Sequence, residues 1–515
     1  MYSKILSGTA LGIDGMIITV ETDISLGIPG LNLVGYLASS VKEAGERVKT
    51  AMKNSGMPIP SRKITVNLSP ADVRKDGAGY DLAIAVGILL SMEIFPENEK
   101  LNSDLENTLF IGELGLDGKV LPVRGVLPIV DYAAKQGIKR VILPAENADE
   151  ASFVKGIDII PILSLEEMIG IISSGVWPDT FKPERTESYE MLDTANDLVN
   201  VKGQETLKRG IIIAVAGFHN IIMTGSAGSG KSMIAKCIPG LMPPLTYEES
   251  MKLTKIYSVA GLLNNERRFI SKRPFRSLNQ NISQVALLGG GASPKPGEVS
   301  LANSGVLFLD EFPEFSRGIV ESLRQPMEDK VINISRVKAS YTFPADFMLV
   351  SARNNCPCGF YPDRKRCRCN MGEIYRYQNK ISHPIMDRID IRLEVRNVEF
   401  DELMSDEKCI SSAEAREMIS RARDRQLRRY RDEDFDFNSQ LPQNLIDKYI
   451  SLSESQQKYL RDYYESNDIS ARGYFRILRL IRTIADIEDR EEICDTDIVE
   501  ATFYRNESEA GRNMI

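Results

Sequence analysis

Asn220-Ile-Ile-Met-Thr224, followed at once by Gly225-Ser-Ala-Gly-Ser-Gly230-Lys231-Ser232, is the stretch that decides the fold. The first five residues form a short apolar run, suited to a strand buried in a parallel sheet. An apolar-periodic helix through Ile234 and Ile238 comes next. Strand, glycine-rich loop and helix in that order give the context in which a GxxxxGK[ST] match reads as a phosphate-binding loop. Gly225, Gly228 and Gly230 permit the torsions that turn the N–H groups of the loop, Ser226, Ala227 and Ser229 included, toward phosphate oxygens. The following helix adds the positive end of its dipole. Lys231 is expected to reach the β- and γ-phosphates of ATP, and Ser232 to ligate Mg²⁺.

Downstream residues supply the rest of a hydrolytic site. Val306–Leu309 is a second buried-type strand and runs into Asp310-Glu311. Asp310 is expected to hold Mg²⁺ through water, and Glu311 to act as general base on the attacking water. Phe347–Val350 is a third such strand and leads to Ser351-Ala-Arg-Asn354. A polar residue there would face the γ-phosphate between the other two strands. Asn354 is the candidate, Asn355 the near alternative, and a turn-favouring Asn-Asn pair the plain reading. Met386-Asp-Arg388-Ile-Asp390 follows His383-Pro384. Arg388 can project into a neighbouring subunit's ATP; a local ion pair with Asp390 is the alternative.

At 515 residues the chain is too long for one core, and roughly three domains are expected. Hydrophobic residues make up 43% and charged residues 26%, with a net charge of −8. A nucleic-acid partner would therefore need a local basic surface. The N-terminal stretch lacks a signal-peptide core, and the apolar run near Leu82–Met92 is too short to span a bilayer. No membrane association and a cytoplasmic location are expected. Only His219 and His383 are present, which argues against histidine-based acid–base chemistry.

Residues 1–172 read as an α+β domain. It has strands at Ile17–Glu21, Ile64–Leu68 and Arg140–Leu143, a helix from Ser39-Ser40 to near Gly56, and another over Ile129–Gln136. Residues 173–192 are polar with two prolines and read as a linker. Residues 193–400 return to α/β patterning. Residues 401–515 read as a helical lid, with helices at Ser412–Tyr430, Asn444–Leu452, Glu454–Glu465, Ser470–Glu488 and from Asp495.

Further matches carry a family resemblance: Val201-Lys-Gly-Gln204, GVLFLDEFPEF at 305–315, ESLRQPMED at 321–329 and ISHPIMDRIDI at 381–391. The N-terminal half adds VKEAGERVKTAMKNSG at 41–56, ITVNLSPADVRKDGAGYDLAIAVGIL at 64–89 and GELGLDGKVLPVRG at 112–125. The chain resembles the ComM/YifB family, in which a magnesium-chelatase-like AAA+ ATPase core with a helical lid follows a Lon-protease-like domain. The resemblance implies a homohexameric ring with ATP between subunits, Arg388 as the trans-acting finger and Asn354 as first sensor. It makes Arg472 the second sensor, with Arg476 as alternative; a solvated helix face is the plain reading of both. It also implies DNA branch migration in the recombination of transforming DNA. Three departures stand out. Phe275-Arg-Ser-Leu-Asn-Gln280 lacks the family's two histidines, Asn354-Asn355-Cys356 replaces Asn-Pro-Cys, and Ser226-Ala227 stand where the family carries proline. None is expected to touch the phosphate chemistry.

A Lon-like domain raises the alternative of an ATP-dependent protease with a Ser–Lys dyad. The stretch where that family places its serine reads Asp76-Gly-Ala-Gly79. Ile129 stands near the expected lysine, and no lysine lies between Lys119 and Lys135. A chelatase-like remodeller of a protein partner is the other alternative.

Cys356-Pro-Cys358 and Cys367-Arg-Cys369 are two Cys-x-Cys pairs, with four cations at Arg364, Lys365, Arg366 and Arg368. Four thiolates on two turns can enclose a structural Zn²⁺; reduced loop thiols are the alternative. Val331–Arg336 and Lys338–Phe343 alternate as a hairpin. In related motors such a hairpin lines the pore, which makes Arg336 and Lys338 candidate contacts to DNA phosphates. The insert Gly289–Lys295 is a second candidate pore loop. Arg421, Arg423, Arg425, Arg428 and Arg429 crowd one lid helix, as a DNA-facing patch or as a solvated face. Nothing in the sequence reads bases, so binding is expected to be sequence-independent.

Overall fold

The computed structural model describes residues 2–95, 99–183, 196–264, 269–291, 293–336, 339–398, 400–404, 409–467 and 469–505. Two sheets organise them. The first joins seven strands in the order Gly30–Val34, Lys63–Ser69, Asp14–Ser25, Tyr2–Leu11, Thr108–Phe110, Arg140–Pro144 and Asp158–Ile162. Tyr2–Leu11 and Asp14–Ser25 form an antiparallel hairpin. Gly12, at φ 67°, supplies the positive torsion that so tight a turn requires. The last three strands run parallel. Helix Asp81–Ser91 is buried on nearly every face, so the longest apolar run of the chain is a core helix. No helix among the described residues is long and apolar enough to cross a membrane.

The expected N-terminal elements are present with wider strands. The helix from Ser39 breaks at Glu43 into Ser39–Lys42 and Ala44–Asn54, the second burying Val48, Ala51 and Met52. Of the expected linker over 173–192, residues 184–192 lie outside the described residues. Its first part is strapped to the first sheet. Trp177 donates to Asp104 at 3.0 Å beneath the Arg140 guanidinium, and the Phe181 N–H donates to Ile159 O at 2.8 Å.

The second sheet is five-stranded, in the order Phe275–Ser277, Val306–Leu309, Met348–Arg353, Ile221–Gly225 and Ile391–Val395. All its pairs are parallel. The strand ending at Arg353 therefore lies between the strand of the glycine-rich loop and the strand of Asp310. Buried apolar residues from helix Glu205–Gly217, these strands and the lid helices form one continuous core. Asn220 fixes the sheet's near end: its N–H donates to Asp390, its side-chain amide to Arg388 O, and its Oδ1 accepts from Leu349 N.

The lid comprises helices Ser412–Arg429, Glu454–Ser466, Ala471–Ile487 and Asp495–Phe503. The helix expected over 444–452 shrinks to Ile446–Tyr449, ended by an extended Ile450. The arginines of the first lid helix do not form a uniform basic face. Arg423 is buried over the Phe437 ring and beside Asp436, Arg429 pairs with buried Asp486, and Arg425 pairs with Asp489 and Glu491. These acids lie outside the helix that holds the arginines, so the helix sequence alone could not reveal the pairing.

The N-terminal domain docks on helix Tyr247–Ala260, which follows the helix after the phosphate loop. Lys255 meets Asp131 at 2.6 Å, the Tyr247 hydroxyl donates to Phe153 O at 2.6 Å, and Ser258 bonds buried Glu150.

Candidate active site

The loop at 225–232 closes around its own lysine. Lys231 Nζ donates to Gly225 O at 3.0 Å, Ser226 O at 2.7 Å, Ser229 Oγ at 3.4 Å and Asn354 Oδ1 at 3.1 Å. Burial pushes the ammonium below its usual value, and the charges of Asp310 and Glu311 pull the other way. Ser232 Oγ donates to Asp310 Oδ2 at 2.6 Å. A Cβ at Gly225 would stand 2.3 Å from Val395 O, so strand Ile391–Val395 forbids a side chain there. Gly228 and Gly230 adopt φ of 79° and 92°, with open space where a Cβ would stand. The donor set fits Mg·ATP: open glycine backbone, a helix N-terminus, an ammonium, and a hydroxyl–carboxylate pair in contact. Of the two candidate asparagines, Asn354 faces Lys231. Asn355 instead bridges Tyr361 O and Gln378.

Glu311 is exposed beside this group, at φ 51°. Its carboxylate accepts from Gln280 Nε2 at 2.6 Å. Gln280 lies in the stretch that lacks the two histidines, so that stretch reaches the candidate general base. No local pattern marks Gln280, which is brought to Glu311 by the parallel pairing of Phe275–Ser277 with Val306–Phe308. Ser226, at a position of the third departure, bonds Asn397 at 2.5 Å and so ties the loop to the segment that follows the edge strand.

Arg388 and Arg472 converge elsewhere, on Glu328. Arg388 is 3% exposed, donates to Pro384 O at 2.7 Å and pairs with Glu328. Arg472 meets the same carboxylate at 2.9 Å. Burial raises the Glu328 carboxyl, but the hydrogen bond and charge of Arg388, then Arg472, hold it below the usual range. Arg388 Nε is buried without a partner. These residues line an open cleft with Glu321, Arg324 and Gln325. The alternative second sensor, Arg476, is committed internally. It meets buried Asp390 at 2.5 Å, so Asp390 pairs with Arg476 and not with Arg388.

The four cysteine sulfurs lie within 4.8 Å of one another. Arg364 donates to Cys369 O and Arg366 covers the Phe360 ring, so two of the four loop cations are engaged at home. Val331–Arg336 pairs with Ala339–Pro344 as the expected hairpin, while Lys338 lies outside the described residues. At its end Arg336 donates to Gly291 O at 2.7 Å, which brings the two candidate pore loops together.

In the first domain the stretch Asp76-Gly-Ala-Gly79 carries no hydroxyl, and Ile129 is buried against Gly8. The start of helix Val126–Lys135 meets helix Tyr247–Ala260: Gly125 N donates to Ser258 O at 3.3 Å.

Residues 197–403 match the family described as magnesium chelatase, subunit ChlI. Residues 20–147 match subunit ChlI of Mg-chelatase, and residues 410–505 its C-terminal region. The chain is 37% identical over 500 residues to the uncharacterized protein YifB of Salmonella typhimurium, covering 96% of this chain and 95% of that one. It is 36% identical over 513 residues to the competence protein ComM of Haemophilus influenzae, covering 97% of each. A partial likeness reaches Lon protease 2 of Bacillus subtilis, 28% over 174 residues, or 32% of this chain and 30% of that one.

Proposed function

The chain belongs to the ComM/YifB family of magnesium-chelatase-like AAA+ ATPases, and on that premise we propose that it is an ATP-hydrolysing ring motor that drives DNA branch migration during recombination of transforming DNA. The observation that carries the reading is the division of its arginines from its phosphate loop. Lys231 touches Asn354 and Ser232 touches Asp310, whereas Arg388 and Arg472 meet on Glu328 in a separate cleft. A site divided in this way is completed when subunits assemble, and a homohexamer is the ring we propose.

In that ring the loop amides and Lys231 bind and orient the triphosphate, and Ser232 and Asp310 are the residues that would hold Mg²⁺. When bound, the metal neutralises charge on the β- and γ-phosphates. Glu311 takes a proton from the attacking water, and Asn354 orients that water against the γ-phosphate. The neighbour's Arg388 and Arg472 stabilise the charge that develops on the transferring group. Arg336 and the Gly289–Lys295 insert contact DNA phosphates in the pore, without base reading. The Lon-like domain serves as an assembly platform; the hydroxyl-free stretch Asp76–Gly79 and buried Ile129 speak against proteolysis. A cytoplasmic location follows from DNA as the track.

A branch-migration assay with wild type and Lys231→Ala tests the reading. Wild type should move the junction in an ATP-dependent, salt-sensitive way, and the variant should not. The match to a magnesium chelatase subunit favours one second reading, an ATPase that remodels a protein partner. It predicts a hydrolysis rate indifferent to duplex, forked and single-stranded DNA, and a stable protein partner recovered with Glu311→Gln.

A further inference from the structure

None of residues 354–370 is helical or in a strand, yet this loop carries the four clustered cysteines and rests on the phosphate loop. The apolar packing around it is small: Cys356, Cys367 and Ile374, with Phe360, Tyr361 and Cys369 against them. So little burial leaves the ordering entropy of such a loop uncompensated.

The sulfur geometry supplies what the packing lacks. Cys356 and Cys358 Sγ stand 3.3 Å apart, Cys356 and Cys367 3.7 Å, and Cys358 and Cys367 3.6 Å. Four thiolates bound tetrahedrally at about 2.3 Å from Zn²⁺ lie about 3.8 Å from each other. A disulfide would need about 2.05 Å. The Tyr361 N–H also points at Cys356 Sγ, at 3.4 Å, as an outer-shell donor to a thiolate.

Two contacts join this loop to the walls of the phosphate pocket. The Ala227 N–H donates to Gly359 O at 2.8 Å, and a Cβ on Gly359 would stand 2.8 Å from Ala227 Cβ. On the other side, Cys356 follows Asn354 by two residues, and Asn354 Oδ1 accepts from Lys231. The loop that carries the cluster therefore meets the loop expected to cradle phosphate through Gly359 and holds, two residues before Cys356, the residue expected to orient water.

We propose that Cys356, Cys358, Cys367 and Cys369 bind one Zn²⁺, and that the metal-fastened knuckle clamps the phosphate loop in its nucleotide-binding shape. The second half rests on the nucleotide reading above. Zinc makes Gly359 a fixed acceptor for the Ala227 N–H, and it shortens the free backbone that would otherwise let Asn354 swing from Lys231. Loss of the metal frees both contacts at once.

The test uses the full chain, with zinc measured by plasma emission and nucleotide affinity by titration with a fluorescent ADP in Mg²⁺. Wild type should hold one zinc per chain. Cobalt(II) in its place should give the ligand-field bands of a tetrahedral thiolate site. Cys358→Ser with Cys369→Ser should lose zinc and weaken nucleotide binding at least about tenfold, as expected for loss of two hydrogen bonds. Gly359→Ala leaves the four ligands in place but crowds Ala227. It should keep its zinc and still weaken nucleotide binding about fivefold; it also guards against a cysteine variant that fails to fold. A wild-type chain that takes up no zinc overturns the metal site. Unchanged nucleotide affinity in both variants overturns the clamp. Wild type that holds zinc but binds no nucleotide overturns the nucleotide reading, and the metal site stands.

Discussion

The phosphate loop and the Glu328 cleft belong to one core, but their charged residues are satisfied in opposite ways. Around the loop the partners are neighbours in space that already touch: Lys231 with Asn354, Ser232 with Asp310. In the cleft two arginines share one carboxylate, and Arg388 Nε is buried with no partner. A buried guanidinium nitrogen left unmatched is costly, and a feature of that kind fits a surface that is completed by something outside the chain. In the ring proposed above, the difference would make these two clusters the two half-sites that each subunit offers to its neighbours.

The sharpest way to break that comparison is Arg388→Ala. An arginine finger is worth about 10³–10⁵ in kcat, so the assembled variant should bind ATP and turn it over at least about a thousandfold more slowly. Mixed rings of Arg388→Ala and Lys231→Ala should regain part of the rate, because some interfaces then pair an intact loop with an intact arginine. If mixing restores nothing, Arg388 does not act across subunits. Glu311→Gln belongs to the loop's own half. It should lose about 10²–10⁴ of the hydrolysis rate and retain ATP binding, and mixing it with Arg388→Ala should regain part of the rate for the same reason, since some interfaces then pair an intact Glu311 with an intact arginine. Retained turnover in Glu311→Gln alone would remove it as the base.

The two halves were also unequally legible in the sequence. The loop half is written in short, contiguous motifs, because a strand that ends in a tight glycine turn or in Asp310-Glu311 fixes its residues by backbone geometry alone. The central strand before Asn354 was legible for the same reason, and its position between the other two follows from the parallel order. The cleft half depends on contacts between distant segments. Glu328 meets Arg388 and Arg472 through tertiary packing, and nothing near Glu328 in the chain announces it. Gln280 carries no local signal either, since its contact with Glu311 is made across strands. The first lid helix misled in the other direction. Its arginines looked free in sequence, whereas Asp486, Asp489 and Asp436 lie in other segments and take them up.

Asp390 links the cleft to the lid and sharpens the comparison through stability. Burial raises its carboxyl, but the charge of Arg476, and then His219, hold it well below the usual carboxylate range. A depressed carboxylate stabilises the fold at pH values above its unfolded value of about 3.9, and that contribution fades as the pH falls below it. Arg476→Ala should therefore cost about 3–5 kcal/mol near neutrality, because it strands a buried charge. The gap to wild type in chemical denaturation should narrow below about pH 4. A gap that widens in acid would mean that Asp390 is not held ionised by Arg476.

Arg472 is expected to give the smallest effect and the finest discrimination. It is 61% exposed in its side chain, and its pair with Glu328 is shared with Arg388. Exposed pairs contribute at most about 1 kcal/mol, so Arg472→Ala should leave the denaturation midpoint almost unmoved. A charge-assisted contact to a neighbour's phosphate is worth about 1.5–3 kcal/mol, which predicts roughly tenfold weaker ATP binding, or somewhat more, in the assembled protein. The same titration on dilute, dissociated subunits should show no difference from wild type, since the loop half alone then binds. Equal weakening in both states would put Arg472 in its own subunit's site and collapse the division between the two halves for that residue, leaving Arg388 alone to complete the neighbour.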